Sequence, residues 1–304
     1  MTGDRPLLGI LLMLGFCVLA PMGDALGKLV GATVPLIQLL AARFAVQAII
    51  LIPLALALRK PLTMSPRTFR LMAIRTVLHI LGIGFMFTSL RFLPLADAVA
   101  IAFVMPFIML LLGKYVLGEE VGARRLIACT VGFLGTLLVI QPSFAAVGAP
   151  ALLPLAVALI FALFMLTTRQ IARQIDPISL QATSGALGTL LLASLYLIPG
   201  ASAFAPMHTI MPNTQEAMLL LLMGLLGTGA HLLMTWSLRF APSTTLAPMQ
   251  YLEIPVATAL GYLIFRDWPN PLAFTGIAIT IASGLYIILR EQRLSQMRSQ
   301  HAEA

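Results

Sequence analysis

Ten apolar stretches follow one another along the chain, at residues 7–30, 35–58, 71–92, 95–117, 122–140, 151–171, 178–198, 217–240, 243–265 and 271–289, with short polar links between them. Each approaches or exceeds the length of about 20 residues that a helix needs to cross a bilayer. Lipid offers no hydrogen bonds to bare backbone, so apolar runs of this length must be helices. The pattern predicts an all-α integral membrane protein with ten transmembrane helices.

The polar positions that interrupt these stretches matter most for function. The ninth reads STTLAPMQYLEIPVATALGYLIF, placing Gln250, Tyr251 and Glu253 between Pro248 and Pro255. A carboxylate held at such depth costs about 2.5–3.5 kcal/mol on insertion scales. A partner, a proton, a water-filled cavity or a substrate has to offset it.

Composition agrees with this class. The chain is 60% hydrophobic and 10% charged, with a mean hydropathy of +0.98, so 304 residues leave no room for a soluble domain beside the spans. The net charge of +8 comes from lysines and arginines in short loops. No concentrated basic face or stacking platform points to nucleic acid. Counting alternate loops gives fourteen basic residues on one side against Lys28, Arg91 and Arg266 on the other. The positive-inside rule then predicts that both termini are cytoplasmic. The first apolar run is too long for a signal peptide and is read as a retained span. Cys17 and Cys129 lie far apart in apolar runs and suggest neither a metal motif nor a disulfide.

An internal repeat appears at an offset of 148 residues. Ser89-Leu90-Arg91-Phe92 with Pro94 recurs as Ser237-Leu238-Arg239-Phe240 with Pro242, and Leu112, Gly113 and Glu119 fall on Leu260, Gly261 and Asp267. Five spans per half is an odd number, so the second copy must be inverted. The expected organisation is a first repeat at 1–142, a second at 148–292 and a cytoplasmic tail at 293–304. Glu253 then falls opposite Met105, so the carboxylate belongs to one half only.

The stretch from Arg75 to Asp97 ending SLRFLPLADA, with Pro106, Gly118-Glu119-Glu120 and Gly132-Phe133-Leu134-Gly135, resembles the drug/metabolite transporter superfamily, EamA type. Asp24-Ala-Leu-Gly-Lys28, the Ala247 to Glu253 stretch and Phe265-Arg266-Asp267-Trp268-Pro269 are similar to the branch holding bacterial S-adenosylmethionine and riboflavin importers. The resemblance implies a substrate cavity between two halves, opened alternately to each side of a bacterial inner membrane, with no ATP-binding part. No Walker-type stretch is present.

The candidate substrate-binding residues are Asp24, Arg75, His79, His231, Trp236, Gln250, Tyr251 and Glu253, with Glu253 and His231 also as coupling residues. Asp24 and Lys28, four residues apart, can form an ion pair near the outer interface. Arg75 and His79 are likewise spaced four residues apart on one face beside Gly82, and Arg75 can alternatively form a structural ion pair with Asp24 or Glu253. His231 shares a face with Gly224, Gly227 and Thr235; a histidine can carry a proton near neutral pH, and the alternative is an interhelical hydrogen bond. Tyr251 suits a flat or cationic ligand. Arg43 is read as structural, Asp97 as a helix cap, and Glu119 and Glu120 with Arg124 and Arg125 as a charged turn.

The expected function is secondary active transport of a small organic metabolite, as uptake of an aromatic or cationic compound, S-adenosylmethionine-like or riboflavin-like. Export of amino acids or drug-like metabolites and passive facilitation are the alternatives. A lipid-acting enzyme would need clustered acids or a DDxxD-type metal constellation, which the sequence lacks. The expected partners are the metabolite, the lipid bilayer and, for coupling, protons, with a homodimer left open; no cofactor, metal or nucleic acid is expected.

Overall fold

In a computed structural model, which describes residues 5–116, 118, 122–198, 200, 205–242 and 246–303, every regular element among the described residues is helical. The elements are α1 (Pro6–Val30), α2 (Leu36–Ala57), α3 (Pro66–Ser89), α4 (Leu95–Ala102), α5 (Met105–Val116), α6 (Ala123–Val147), α7 (Leu153–Ile171), α8 (Pro177–Leu195), α9 (Thr214–Phe240), α10 (Glu253–Leu260) and α11 (Pro271–Glu303). A 3-10 turn, Ala247–Leu252, leads into α10, and a π-turn, Gly261–Phe265, leaves it. Among the described residues, eight helical stretches are long and apolar enough to cross a membrane, one of them Leu95–Val116 running through α4 and α5, and Met249–Phe265 and the Pro271–Tyr286 part of α11 are shorter apolar stretches. Leu117, Glu119, Glu120 and Ser243 lie outside the described residues.

The helix starts follow from local chemistry. Ser65 precedes Pro66, and its hydroxyl accepts from the Thr68 N–H at 3.2 Å. Asp176 precedes Pro177 and accepts from Ile178 N–H at 3.0 Å. Asn213 and Glu216 form a reciprocal box, with both bonds at 2.9 Å. Proline is preorganised for a first helical position, and a capping oxygen satisfies an N–H that the helix leaves unpaired.

Two of the expected spans are discontinuous. The fourth breaks at Phe103 and Val104, whose N–H groups turn back to Ala100 and Ile101 at 3.2 and 3.4 Å. The ninth changes from 3-10 to α to π geometry. Pro255 lacks the N–H that would reach Tyr251, which agrees with a change of helix type there.

The helices associate in a regular pattern: α1 lies against α9, α3 against α7, α2 against α8, α6 against α11, and α4 against α10. Small residues set the α6–α11 seam. A Cβ on Gly135 would stand 2.6 Å from Thr280 Oγ1 and 2.7 Å from the Gly276 carbonyl, so only glycine permits this approach. Thr280 and Ser283 add bonds to the α6 carbonyls of Gly132 and Ala128. Interfaces of this kind hold helices by contact and hydrogen bonding, because lipid gives little hydrophobic drive between spans. Large side chains such as Leu7, Ile49 and Leu190 point outward, as a lipid-facing surface requires.

Candidate functional site

A cavity of about 80 Å³ lies inside the bundle. Its walls are Phe16, Ala20, Gly23 and Asp24 of α1, Arg43 of α2, Gly82, Ile83 and Met86 of α3, and Val157, Ala158 and Phe161 of α7. Val99, Ala102, Phe103 and Met105 around the break in the fourth span, Gly227 and His231 of α9, and Glu253 at the start of α10 complete it. Both discontinuous segments therefore reach the cavity, where irregular backbone in a membrane protein is tolerated.

The two ends of the bundle differ. At one, Arg5 N–H donates to the Phe240 carbonyl at 3.0 Å, Arg169 donates to the Leu238 carbonyl, and Met13, Met109, Met234, Leu238 and Met249 fill the interior. At the other, Lys28 Nζ bonds Asp267 Oδ2 and the Leu93 carbonyl, each at 3.1 Å, and stands 4.6 Å from the centre of the Phe265 ring. The ion pair of Lys28 with Asp24 expected within α1 is not formed. The lysine reaches across to the link before α11 instead, and Asp24 is left on the cavity wall. Asp97 does not cap its helix either. Pro94 is the cap residue, and the Asp97 carboxylate is buried, accepting from Ser143 Oγ of α6 at 2.9 Å.

Asp24, His231 and Glu253 come together on the cavity. Asp24 and Glu253, from separate spans, line the same cavity. Glu253 is 9% exposed and its Oε1 has no hydrogen-bond partner. His231 Nε2 meets His79 Nε2 at 2.8 Å, placing His79 directly behind the wall. Arg75 is one layer deeper, donating from Nε to Thr168 at 2.8 Å and from Nη1 to Ser184 at 2.9 Å, with its guanidinium 4.5 Å from the Phe164 ring centre. It bridges neither Asp24 nor Glu253 among the described ion pairs.

Gln250, Tyr251 and Trp236 are not on the cavity wall. Gln250 Nε2 approaches Met165 Sδ at 3.3 Å. Tyr251 is buried towards α6 and α11, close to Gly132 and Gly284, with its ring 5.5 Å from that of Phe103. Trp236 is partly exposed on α9. Gln250 faces α7 and Tyr251 the α6–α11 seam, while Glu253 lines the cavity, although all three are near neighbours in sequence.

Arg43 is the wall residue that helical spacing did not single out. Its guanidinium lies flat against α9 at Gly227, where an added Cβ would be 2.7 Å from Nη2, and near Gly23 of α1. A signal was present: Gly23 and Gly227 lie in spans that also hold Asp24 and His231, and glycine admits a large side chain from a neighbouring helix.

A multi-pass helical bundle around a largely apolar cavity, with two acidic side chains from separated stretches on its wall, has the build of a membrane transporter. The chain belongs to the EamA-like transporter family, within the drug/metabolite transporter superfamily; the family profile matches residues 7–141 and again 149–290. A riboflavin transporter of Brucella anthropi is 27% identical over 250 residues, covering 80% of this chain and 87% of that protein. An S-adenosylmethionine uptake transporter of Rickettsia prowazekii is 23% identical over 293 residues, covering 96% of each. One solved crystal structure, 18% identical, superposes with a TM-score of 0.69 over 95% of this chain and 98% of that one, which shows the shared fold. The family and its relatives are transporters, not enzymes.

Proposed function

We propose that this protein is a secondary active transporter that takes up a small aromatic or cationic metabolite, S-adenosylmethionine-like or riboflavin-like, across a bacterial inner membrane by alternating access. The observation that carries this reading is that Asp24, from the first half of the chain, and Glu253, from the second, line one cavity. Two carboxylates, with Phe16, Phe103 and Phe161 around them, favour a solute with a cationic centre and a flat apolar body.

The moving parts in this reading are two inverted five-helix repeats, 1–142 and 148–292, with ten spans and both termini cytoplasmic. The two stretches matched by the family profile support the division. So does the helix pairing, which maps onto itself when the halves are exchanged: α1 with α9 corresponds to α7 with α3. The shorter helices Met249–Phe265 and Pro271–Tyr286 supply the ninth and tenth spans. Ligand pockets are commonly about 300–1,000 Å³, well above the about 80 Å³ found here. Binding therefore requires the halves to move apart, which is the motion that alternating access needs. Bacterial relatives support the membrane assigned.

Asp24, His231 and Glu253 are the direct contacts, with Arg75 and His79 acting through His231. Glu253 is the coupling group, protonated in one state and binding substrate in the other. The test uses purified protein in liposomes, with uptake of labelled S-adenosylmethionine and riboflavin measured under an imposed pH gradient. Gradient-driven accumulation of either, lost in Glu253→Gln, is expected. Full accumulation by Glu253→Gln would remove the coupling role, and equilibration without accumulation in the wild type would make the protein a facilitator.

A further inference from the structure

Arg43 is 7% exposed and faces the cavity, yet among the described residues it makes no hydrogen bond and joins no ion pair. Asp24 lines the same cavity and is not paired with Arg43 among the described residues. A guanidinium has five N–H donors in a rigid planar fork, and burying it without acceptors is costly. The fold nevertheless holds this one in place. Gly227 gives it a flat bed on α9, and Gly23 leaves room on α1, with Nη1 3.7 Å from where a Cβ would be. An arginine kept only to join helices would be expected to bond carbonyls or hydroxyls, as Arg75 bonds Thr168 and Ser184. Arg43 instead presents unused donors to the same space as Asp24 and the unpartnered Glu253 Oε1.

We infer that Arg43 is a docking residue for a carboxylate of the transported solute, which is therefore a zwitterion, with its cationic centre on the Asp24 and Glu253 side and its carboxylate on the guanidinium. This rests on the transport reading above and narrows it. The planar fork matches a carboxylate with two parallel bonds. A phosphate dianion would meet the same fork, but the two acidic side chains on the same wall, Asp24 and Glu253, suit a cation and not a second negative charge. A single carboxylate balanced by a cation on the same molecule fits both walls at once. Of the two solutes named above, the amino-acid-bearing S-adenosyl compound meets this requirement and riboflavin, which has no carboxylate, does not.

The experiment measures ligand-induced stabilisation of the purified full-length protein with matched pairs that differ only in the carboxylate: S-adenosylmethionine with its decarboxylated form, and L-tryptophan with tryptamine. In the wild type, the carboxylate-bearing member of at least one pair should bind more tightly. In Arg43→Gln, its affinity should fall about ten- to a hundred-fold, the range for losing a hydrogen bond to a charged group, while that of the decarboxylated partner is unchanged. Arg43→Lys, which keeps the charge without the fork, should fall between and serves if the glutamine variant fails to fold. Equal binding of both members by the wild type, or undiminished discrimination in the variants, would overturn the inference. If no member of either pair stabilises the wild type, the aromatic or cationic substrate reading itself fails, a result distinguishable because it appears before any variant is compared.

Discussion

His79 and His231 meet Nε2 to Nε2 at 2.8 Å, joining α3 to α9 in the centre of the bundle. One ring must donate and the other accept, so the pair holds a single proton between the two nitrogens. Phe44 and Phe164 pack on His79, Phe16, Phe161 and Phe164 surround His231, and both Nδ1 atoms lack partners. Gln181 ties the same region together, donating to the His231 carbonyl at 2.9 Å and to Thr235 Oγ1 at 2.8 Å, while Gln47 donates to Gln181. The wall of the cavity is thus backed by a polar layer that runs through α2, α3, α7, α8 and α9.

Removing either imidazole leaves the other buried without its partner. His79→Ala and His231→Ala should each destabilise the protein by about 1–3 kcal/mol for the orphaned group, more with the space left behind. The double variant should cost less than the two singles together. Thermal unfolding of the four proteins in one detergent gives the coupling energy, and strict additivity would mean that the bond contributes nothing.

Lys28 and Asp267 join α1 to the link between α10 and α11 at the end of the bundle opposite the methionine-filled core. Their side chains are 18% and 35% exposed, so the pair should add only about 0.2–1 kcal/mol to stability. Its larger effect is on motion, because separating the halves at this end must break it. Lys28→Cys with Asp267→Cys, cross-linked by a short reagent, should stop transport in liposomes, and reduction should restore it. Transport by the fully cross-linked protein would show that this end does not open.

Gly276 and Gly135 face each other so closely that a Cβ on Gly276 would collide with the Gly135 carbonyl. Gly276→Leu should therefore part α6 from α11, costing at least the roughly 1–3 kcal/mol of an overpacked core. Gly122, with open space around its Cβ position, should accept alanine with little change. Yield of folded protein and unfolding temperature for the two variants provide the comparison.

The course of the helices could be read from the sequence because lipid imposes one rule on every apolar run, and 7–30 and 36–57 appear as continuous helices for that reason. The grouping of Asp24, His231 and Glu253 was also legible, since each is a costly polar group within a span. What remained hidden depended on rotation about a helix axis or on contacts distant in sequence. The turn at Phe103 had a local signal in Pro106, which lacks the N–H that would reach Ala102, but its position did not show which side chains the break would turn to the cavity. Lys28 had an acid four residues away and paired with one 239 residues away. Tyr251 and Gln250 sit near Glu253 in sequence, but their side chains pack against α6, α11 and α7 and not on the cavity.

Arg75 separates a structural from a functional role most sharply. It is fully buried, and among the described residues its bonded partners are the hydroxyls of Thr168 and Ser184, its Nη2 is unpartnered, and no carboxylate pairs with it. A lone buried cation is poor value for stability, and apolar residues of similar size often replace buried charges with a neutral or favourable change of about 1–4 kcal/mol. Thr168 keeps its own bond to the Phe164 carbonyl at 2.7 Å without the arginine. Arg75→Met should therefore unfold at the same temperature as the wild type or higher, yet lose transport, because the guanidinium lies beside the His79–His231 bond and fixes the charge behind it. Unfolding temperature and liposome uptake measured on one preparation decide this. A markedly less stable variant would make Arg75 a structural residue, and a stable variant that still transports would remove it from the mechanism.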